Sequence, residues 1–313
     1  MPSEHSSLKH MQKKHDFLVA IDSDGCAFDS MEIKHKECFT PNTVKHWGLQ
    51  PVSKYARAAA EFVNLYSKWR GLNRFPALIK TFDLLREWPE VQRRWAVIPQ
   101  AQSLRDWIAR ETRLSNPTLK AEVERTGDPV LRQALAWSEG VNASVEDIVK
   151  GVPPFPFVRE SLQKISQWAD VLVCSATPGA ALVREWHEHG LAPYVSAIAG
   201  QEQGSKQEHL QLAWEGRYDR SRVIMIGDAL GDLKAAKENE LLFFPINPGA
   251  EEESWGRFLQ EVSDLFHCGR YSAEFEAARI AEFETRLPAT PPWHVTGGNS
   301  GPERKVGFEA RQR

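Results

Sequence analysis

Two aspartates stand two residues apart in the run Asp22-Ser23-Asp24-Gly25, directly after the apolar stretch Phe17-Leu18-Val19-Ala20-Ile21. In an extended backbone, positions i and i+2 project to the same side, so both carboxylates leave the end of a buried strand on one face. Paired acids at the edge of a core are costly unless a cation lies between them. The carboxyl end of a strand in an α/β sheet is also where ligands bind. Gly25 lets the chain turn sharply behind the pair. The chemistry this points to is cation-dependent.

A lone pair of aspartates on a turn is common and usually just solvated. Its weight comes from three later features. Val171-Leu172-Val173-Cys174 runs into Ser175-Ala176-Thr177, which places a hydroxyl and free backbone N–H groups at a strand end, with a helix starting near Pro178. Gly204-Ser205-Lys206 opens another helix and presents an ammonium near its N-terminus. Val223-Ile224-Met225-Ile226 runs into Gly227-Asp228, with Asp232 four residues on. Each has an ordinary reading alone: Ser175 as a helix cap, Lys206 as a solvated lysine, Asp228 and Asp232 as first-turn acids complementing a helix dipole. Together with the aspartate pair they make four features in order along the chain, three of them at ends of expected core strands, which favours a single site.

The elements that must position these residues follow from the apolar runs. Phe17–Ile21, Val171–Cys174, Val195–Ala199, Val223–Ile226 and Leu241–Phe244 are separated by helical patterns, as expected for a Rossmann-like α/β core, a buried parallel sheet with helices on both faces. The long gap between the first and second runs shows helical periodicity: Tyr55, Ala59, Phe62, Tyr66 and Trp69; Leu104, Trp107 and Ile108; Leu131 and Leu135. Such a gap is too long for a crossover and predicts an inserted all-α domain over residues 31–152. Pro153, Pro154 and Pro156 mark the return to a core built from 16–30 and 153–287. Ser144 followed by Asp147 reads as a capping box opening a short helix. Two apolar helical stripes, Trp255 to Phe266 and Phe275 to Phe283, read as core packing. Residues 1–15 and 288–313 are polar or rich in Pro, Gly, Ser and Thr, and read as poorly ordered or loosely docked ends.

With 313 residues and 42% hydrophobic side chains the chain can bury a full core and a smaller second one. A formal net charge of -3 and the absence of long Lys/Arg blocks give no electrostatic footprint for nucleic acid or anionic lipid, which favours small-molecule chemistry. Cys26, Cys38, Cys174 and Cys268 lie far apart without a CxxC pair, so they are expected to be reduced and buried, with neither a zinc site nor a disulfide scaffold. The first apolar run is too short for a signal peptide or a membrane span, and a cytoplasmic protein is expected. Oligomeric state is not legible.

The ordered set resembles the haloacid dehalogenase superfamily. Its first motif is similar to Asp22-Ser23-Asp24-Gly25, its second to Ser175 ending a hydrophobic strand, its third to Lys206, and its fourth to Gly227-Asp228-Ala229-Leu230-Gly231-Asp232. The resemblance covers the core on both sides of the insert, and residues 31–152 stand where that superfamily carries a helical cap, here larger than its common four-helix form. Cys26 departs from the Thr or Val that many of its phosphatases carry there, and is not read as a nucleophile.

The resemblance implies a Mg²⁺-dependent phosphatase acting on a small-molecule phosphate monoester of the sugar phosphate or nucleotide class. Asp22 would attack phosphorus to form an aspartyl phosphate, and Asp24 would serve as general acid and then base. Asp22, the backbone carbonyl of Asp24, and Asp228 would ligate the metal, with Asp232 behind them orienting Lys206 or a metal-bound water. Ser175, the amides of Ala176 and Gly25, and Lys206 would hold the transferring oxygens. Because Asp24 is a carboxylate, C–Cl and C–P bond cleavage is disfavoured. A phosphomutase using the same aspartates, and a non-catalytic regulatory protein of the same fold, are the alternatives. In the insert, Lys34 and His35 follow the first motif, Lys34, Arg70 and Arg74 are candidates to contact substrate, and the two guanidiniums could meet a second anionic group on it. A solvated surface with ordinary ion pairs is the preferred reading of those arginines.

Overall fold

The computed structural model of the chain describes residue 8 and residues 11–294. Five parallel strands form one sheet in the order β3-β2-β1-β4-β5. They are β1 (Phe17–Ile21), β2 (Ala169–Cys174), β3 (Ala197–Ala199), β4 (Val223–Gly227) and β5 (Leu242–Pro245), each lying on one of the expected apolar runs. Only a strand covered on both faces tolerates such uninterrupted apolar sequence. Leu18 and Ala20 face one side of the sheet, with the helices Lys206–Trp214, Leu230–Glu238 and Ala273–Arg286. Val19 and Ile21 face the other side, against Val158–Ile165, Gly179–Glu188 and the apolar stripe from Trp255 to Phe266. The result is a three-layer α/β sandwich.

Strand β1 lies between β2 and β4, the place where the order reverses. Loops leaving the two inner strand ends diverge there and open a crevice, the usual ligand position in this architecture. Asp22 and Asp24 leave β1 and Asp228 leaves β4 on that edge.

Between β1 and β2 the described elements are helices only, among them Thr40–His46, Ser53–Asn64, Arg74–Glu87, Gln102–Arg110, Asn116–Thr126 and Pro129–Ile148. Their apolar faces make a core of their own, with Trp47, Phe62, Phe75, Phe82, Trp107 and Trp137 buried and no sheet residue included. The chain leaves and returns side by side: the Phe155 amide donates to the Ala27 carbonyl at 3.0 Å, and Phe28 bridges to Pro154. Paired linkers of this kind hold the helical segment over the carboxyl edge of the sheet.

Three local expectations change. Ser144 does not open a helix but lies within Pro129–Ile148, where its Oγ donates to the Gly140 carbonyl at 3.0 Å and accepts from Asn42. A serine inside a helix satisfies its hydroxyl on the carbonyl one turn back, a partner that sequence spacing does not reveal. All four cysteines are free, but Cys268 is exposed.

The third concerns the ends. Met11 is buried, and the amides of Lys14 and His15 donate to the buried Asp170 carboxylate at 2.9 and 3.0 Å. At the other end Trp293 stacks on Trp88 with ring centroids 4.0 Å apart. Residues 11–15 and 288–294 are therefore docked, because a few apolar side chains and one buried acceptor outweigh a polar composition. The remainder of the ends expected to be poorly ordered lies outside the described residues.

Candidate active site

The loop after β1 is built around its own backbone. The amides of Ala27 and Phe28 both donate to the Ser23 carbonyl, and the Gly25 amide donates to the Phe28 carbonyl at 2.8 Å. Trp186 and Trp255, both fully buried, reach the loop through their indole N–H groups, to Ser23 Oγ at 3.0 Å and the Cys26 carbonyl at 2.7 Å. Gly25 has φ +75°, and a Cβ there would lie 2.4 Å from Arg70 Nη2. This turn needs glycine because an L side chain has neither the space nor the conformation. The Gly25 amide, expected to hold phosphate, is spent on closing the turn.

Asp22 is buried, and its Oδ2 meets Lys206 Nζ at 2.7 Å. Lys206 also meets Asp232 Oδ1 at 2.5 Å. The second Asp232 oxygen accepts the Ala229 amide at 3.1 Å, so this carboxylate is fully used. Ser205 caps the helix that begins at Lys206 and so fixes where the ammonium emerges. Burial raises the pKa of Asp22, Lys206 opposes that, and the neighbouring Asp232 and Asp228 raise it further. The Lys206 ammonium is held against burial by Asp22 and Asp232.

Asp22, Asp228 and Asp232 each bring a carboxylate oxygen within 4.8 Å of the others. Asp228 Oδ2 accepts from Arg70 Nε at 2.7 Å, whereas its Oδ1 is buried without a hydrogen-bond partner among the described residues. A cluster rich in negative charge with a buried carboxylate oxygen left over is a donor set that fits a hard divalent cation.

Asp24 stands apart from that cluster. Lys34 and Ser30 bond its Oδ1, and Thr177 Oγ1 donates to Oδ2 at 2.6 Å. Burial would raise its pKa, but the Lys34 charge and these hydrogen bonds outweigh burial and hold it down at about 2. Lys34, expected near substrate, is thus the ion-pair partner of Asp24. Ser175 is buried beside β2, where its Oγ accepts the Thr177 amide at 3.3 Å. The Ala176 amide makes no hydrogen bond among the described residues and stands at an exposed position.

The two arginines separate. Arg70 is buried, bonded to Asp228 and to the Leu65 carbonyl at 3.0 Å, so its guanidinium is committed to the cluster and not open to substrate. Arg74 opens the helix Arg74–Glu87 and bonds only neutral oxygens of Ser138 and Asn142.

Sequence reasoning missed three participants. Thr177 and Ser30 carry no signal of their own, since hydroxyls near turns are everywhere. Glu185 accepts from Ser23 Oγ at 3.3 Å, and burial, followed by the charge of Asp24, pushes it up to about 7. Its helical position facing the first loop is visible only in three dimensions. Cys26 is buried, and burial followed by the nearby carboxylates holds its thiol protonated. That agrees with a packing role.

No family model matches the chain, and no curated protein matches it. Solved structures of similar arrangement include a haloacid dehalogenase-like family hydrolase from Streptococcus pneumoniae, 14% identical over 78% of this chain and 90% of that one, with a TM-score of 0.47. A hydrolase from Pseudomonas syringae is 11% identical over 80% and 99%, with a TM-score of 0.47. A HAD-superfamily hydrolase from Geobacter sulfurreducens is 15% identical over 74% and 87%, with a TM-score of 0.38. Likeness at this level does not transfer a reaction or a substrate. Among the described residues no helix is long and apolar enough to cross a membrane.

Proposed function

We propose that this chain is a haloacid dehalogenase-type hydrolase that releases phosphate from a small-molecule monoester, with Mg²⁺ as cofactor and Asp22 as nucleophile. The observation that carries the reading is the carboxylate cluster at the β1 and β4 ends, in which Asp22 is gripped by Lys206 while one Asp228 oxygen stays buried and, among the described residues, unpaired. Asp22 and Asp228, with the backbone carbonyl of Asp24, would hold the cation; both Asp232 oxygens are already used, which suits a supporting place behind them. When bound, the cation offsets the repulsion between a carboxylate nucleophile and a phosphate dianion.

Asp22 attacks phosphorus, a P–O bond to Asp22 forms, and the P–O bond to the leaving alcohol breaks. Asp24 gives the alkoxide its proton. Water then attacks the aspartyl phosphate while Asp24 takes the proton back, freeing phosphate and Asp22. Lys34 holds Asp24 as the anion, the form that deprotonates water. A phosphate entering beside Lys34 competes for its ammonium and lets Asp24 take up a proton. Lys206, the Ser175 hydroxyl and the Ala176 amide are the groups left to steady the phosphoryl oxygens.

The test is phosphate release from a panel of metabolite monoesters with Mg²⁺, comparing wild type with Asp22→Asn. Release is expected from wild type alone, and to stop when the metal is chelated. Full activity in Asp22→Asn would remove Asp22 from its role.

A further inference from the structure

Three cationic side chains at the aspartates each face a carboxylate: Lys34 on Asp24, Lys206 on Asp22 and Asp232, and Arg70 on Asp228. Arg74 does not. Its Nη1 donates to the Ser138 carbonyl at 3.2 Å, Ser138 Oγ at 2.8 Å and Asn142 Oδ1 at 2.7 Å, and among the described residues no carboxylate pairs with it. Its Nε and Nη2 make no hydrogen bond among those residues. Burial alone pulls this guanidinium down to about 10, the mark of a desolvated cation without a counter-charge. Proteins seldom leave such a charge uncompensated.

The surroundings give it a direction. Arg74 lies over the Phe39 ring, 5.1 Å from its centroid, and Phe39 packs against the His35 ring at 4.6 Å. Lys34, His35 and Phe39 belong to one π-helical turn, Lys34–Phe39, a form that often marks functional places. The turn begins at the ammonium on Asp24 and ends beneath Arg74, so a single turn links the guanidinium to the ion pair of Asp24. His35 Nδ1 is itself buried without a hydrogen-bond partner among the described residues. Burial, followed by the positive charges of Arg70 and Lys34, keeps its imidazole neutral, with a pKa of about 3. A neutral ring can offer that nitrogen as a hydrogen-bond donor.

We propose that Arg74 and His35 form a subsite for a second anionic group, a carboxylate or a second phosphate, on the ester whose phosphate lies at Asp22; this rests on the hydrolase reading above. The substrate class is then a phosphorylated acid or a bisphosphate, and a sugar or alcohol phosphate whose phosphate is its sole anionic group is a poor fit. A planar guanidinium with an open edge matches either group by paired hydrogen bonds.

The test separates binding from turnover. Asp22→Asn protein with Mg²⁺ is titrated calorimetrically with three matched pairs: 3-phosphoglycerate against glycerol 3-phosphate, 6-phosphogluconate against glucose 6-phosphate, and fructose 1,6-bisphosphate against fructose 6-phosphate. At least one member with a second anionic group is expected to bind about tenfold tighter than its partner. That preference is expected to vanish when Arg74→Gln is added and to survive in part with Arg74→Lys, which keeps the charge and guards against a folding defect. Equal affinities within all three pairs, no binding of any probe, or a preference unchanged in both Arg74 variants would overturn the subsite. The hydrolase reading fails by a different result, wild-type protein that releases no phosphate from any ester whatever it binds.

Discussion

Arg70, carried by the helical segment, donates its Nε to Asp228 Oδ2 at the end of β4, 2.7 Å away, and both side chains are buried. The pair joins the two parts of the molecule through a carboxylate that the cofactor would also use. Breaking it by Arg70→Gln leaves Asp228 without any partner, and removing one half of a buried pair costs about 3–5 kcal/mol. Mg²⁺ can replace the lost positive charge, so its addition is expected to raise the melting temperature more in Arg70→Gln than in wild type. Thermal melts with and without the metal read this directly; an equal shift in both proteins would mean that Arg70 and the metal do not share Asp228.

Lys34 controls the proton affinity of Asp24. Burial raises that pKa, and the ammonium is the largest influence lowering it to about 2. In Lys34→Met, burial is left to dominate, so the Asp24 pKa moves up. The acid limb of the pH profile for phosphate release is expected to shift to higher pH by one unit or more. An unmoved limb would free Asp24 from dependence on Lys34.

Glu185 titrates at about 7 in the fold against an ordinary 4.5, chiefly through burial and then the Asp24 charge. Between those values the folded chain binds the proton more tightly than the unfolded chain, so this group's contribution to stability falls as pH rises across that window. The loss is about 3 kcal/mol at most, from the size of the shift. Glu185→Gln cannot ionise and should lose less stability than wild type between pH 5 and pH 8 in urea denaturation. Parallel curves for the two proteins would contradict this.

Gly25→Ala should be severe for its size. The backbone there has φ +75°, and the new methyl would meet Arg70 Nη2 at 2.4 Å, Met31 Cγ at 2.5 Å and Asp228 Oδ2 at 2.8 Å. Backbone strain alone costs about 1–3 kcal/mol, and relief of the contacts would push Arg70 from Asp228. A lower denaturation midpoint together with lost phosphate release is expected; a midpoint equal to wild type would show that the loop has room.

Five strands were legible from uninterrupted apolar runs, because a strand buried on both faces records that burial in consecutive residues. The same reasoning placed Asp22, Asp24, Ser175 and Asp228 at strand ends and Lys206 at a helix start, since each position depends only on its immediate neighbours. Ser144 failed by that standard: its spacing to Asp147 mimics a cap, but the helix continues through it.

Sequence by itself therefore determined the parallel core, the helical segment between its first two strands, and the residues at the carboxyl edge. Tertiary structure decided who pairs with whom. Arg70 and Arg74 are four residues apart and chemically alike, yet one is neutralised by Asp228 and the other is left charged among neutral oxygens. Thr177 and Lys34 likewise met Asp24 only once β2 and the helical segment closed around β1. The reason is range: burial patterns are written in a few neighbouring residues, whereas a charge finds its partner across chain separations that carry no sequence signal.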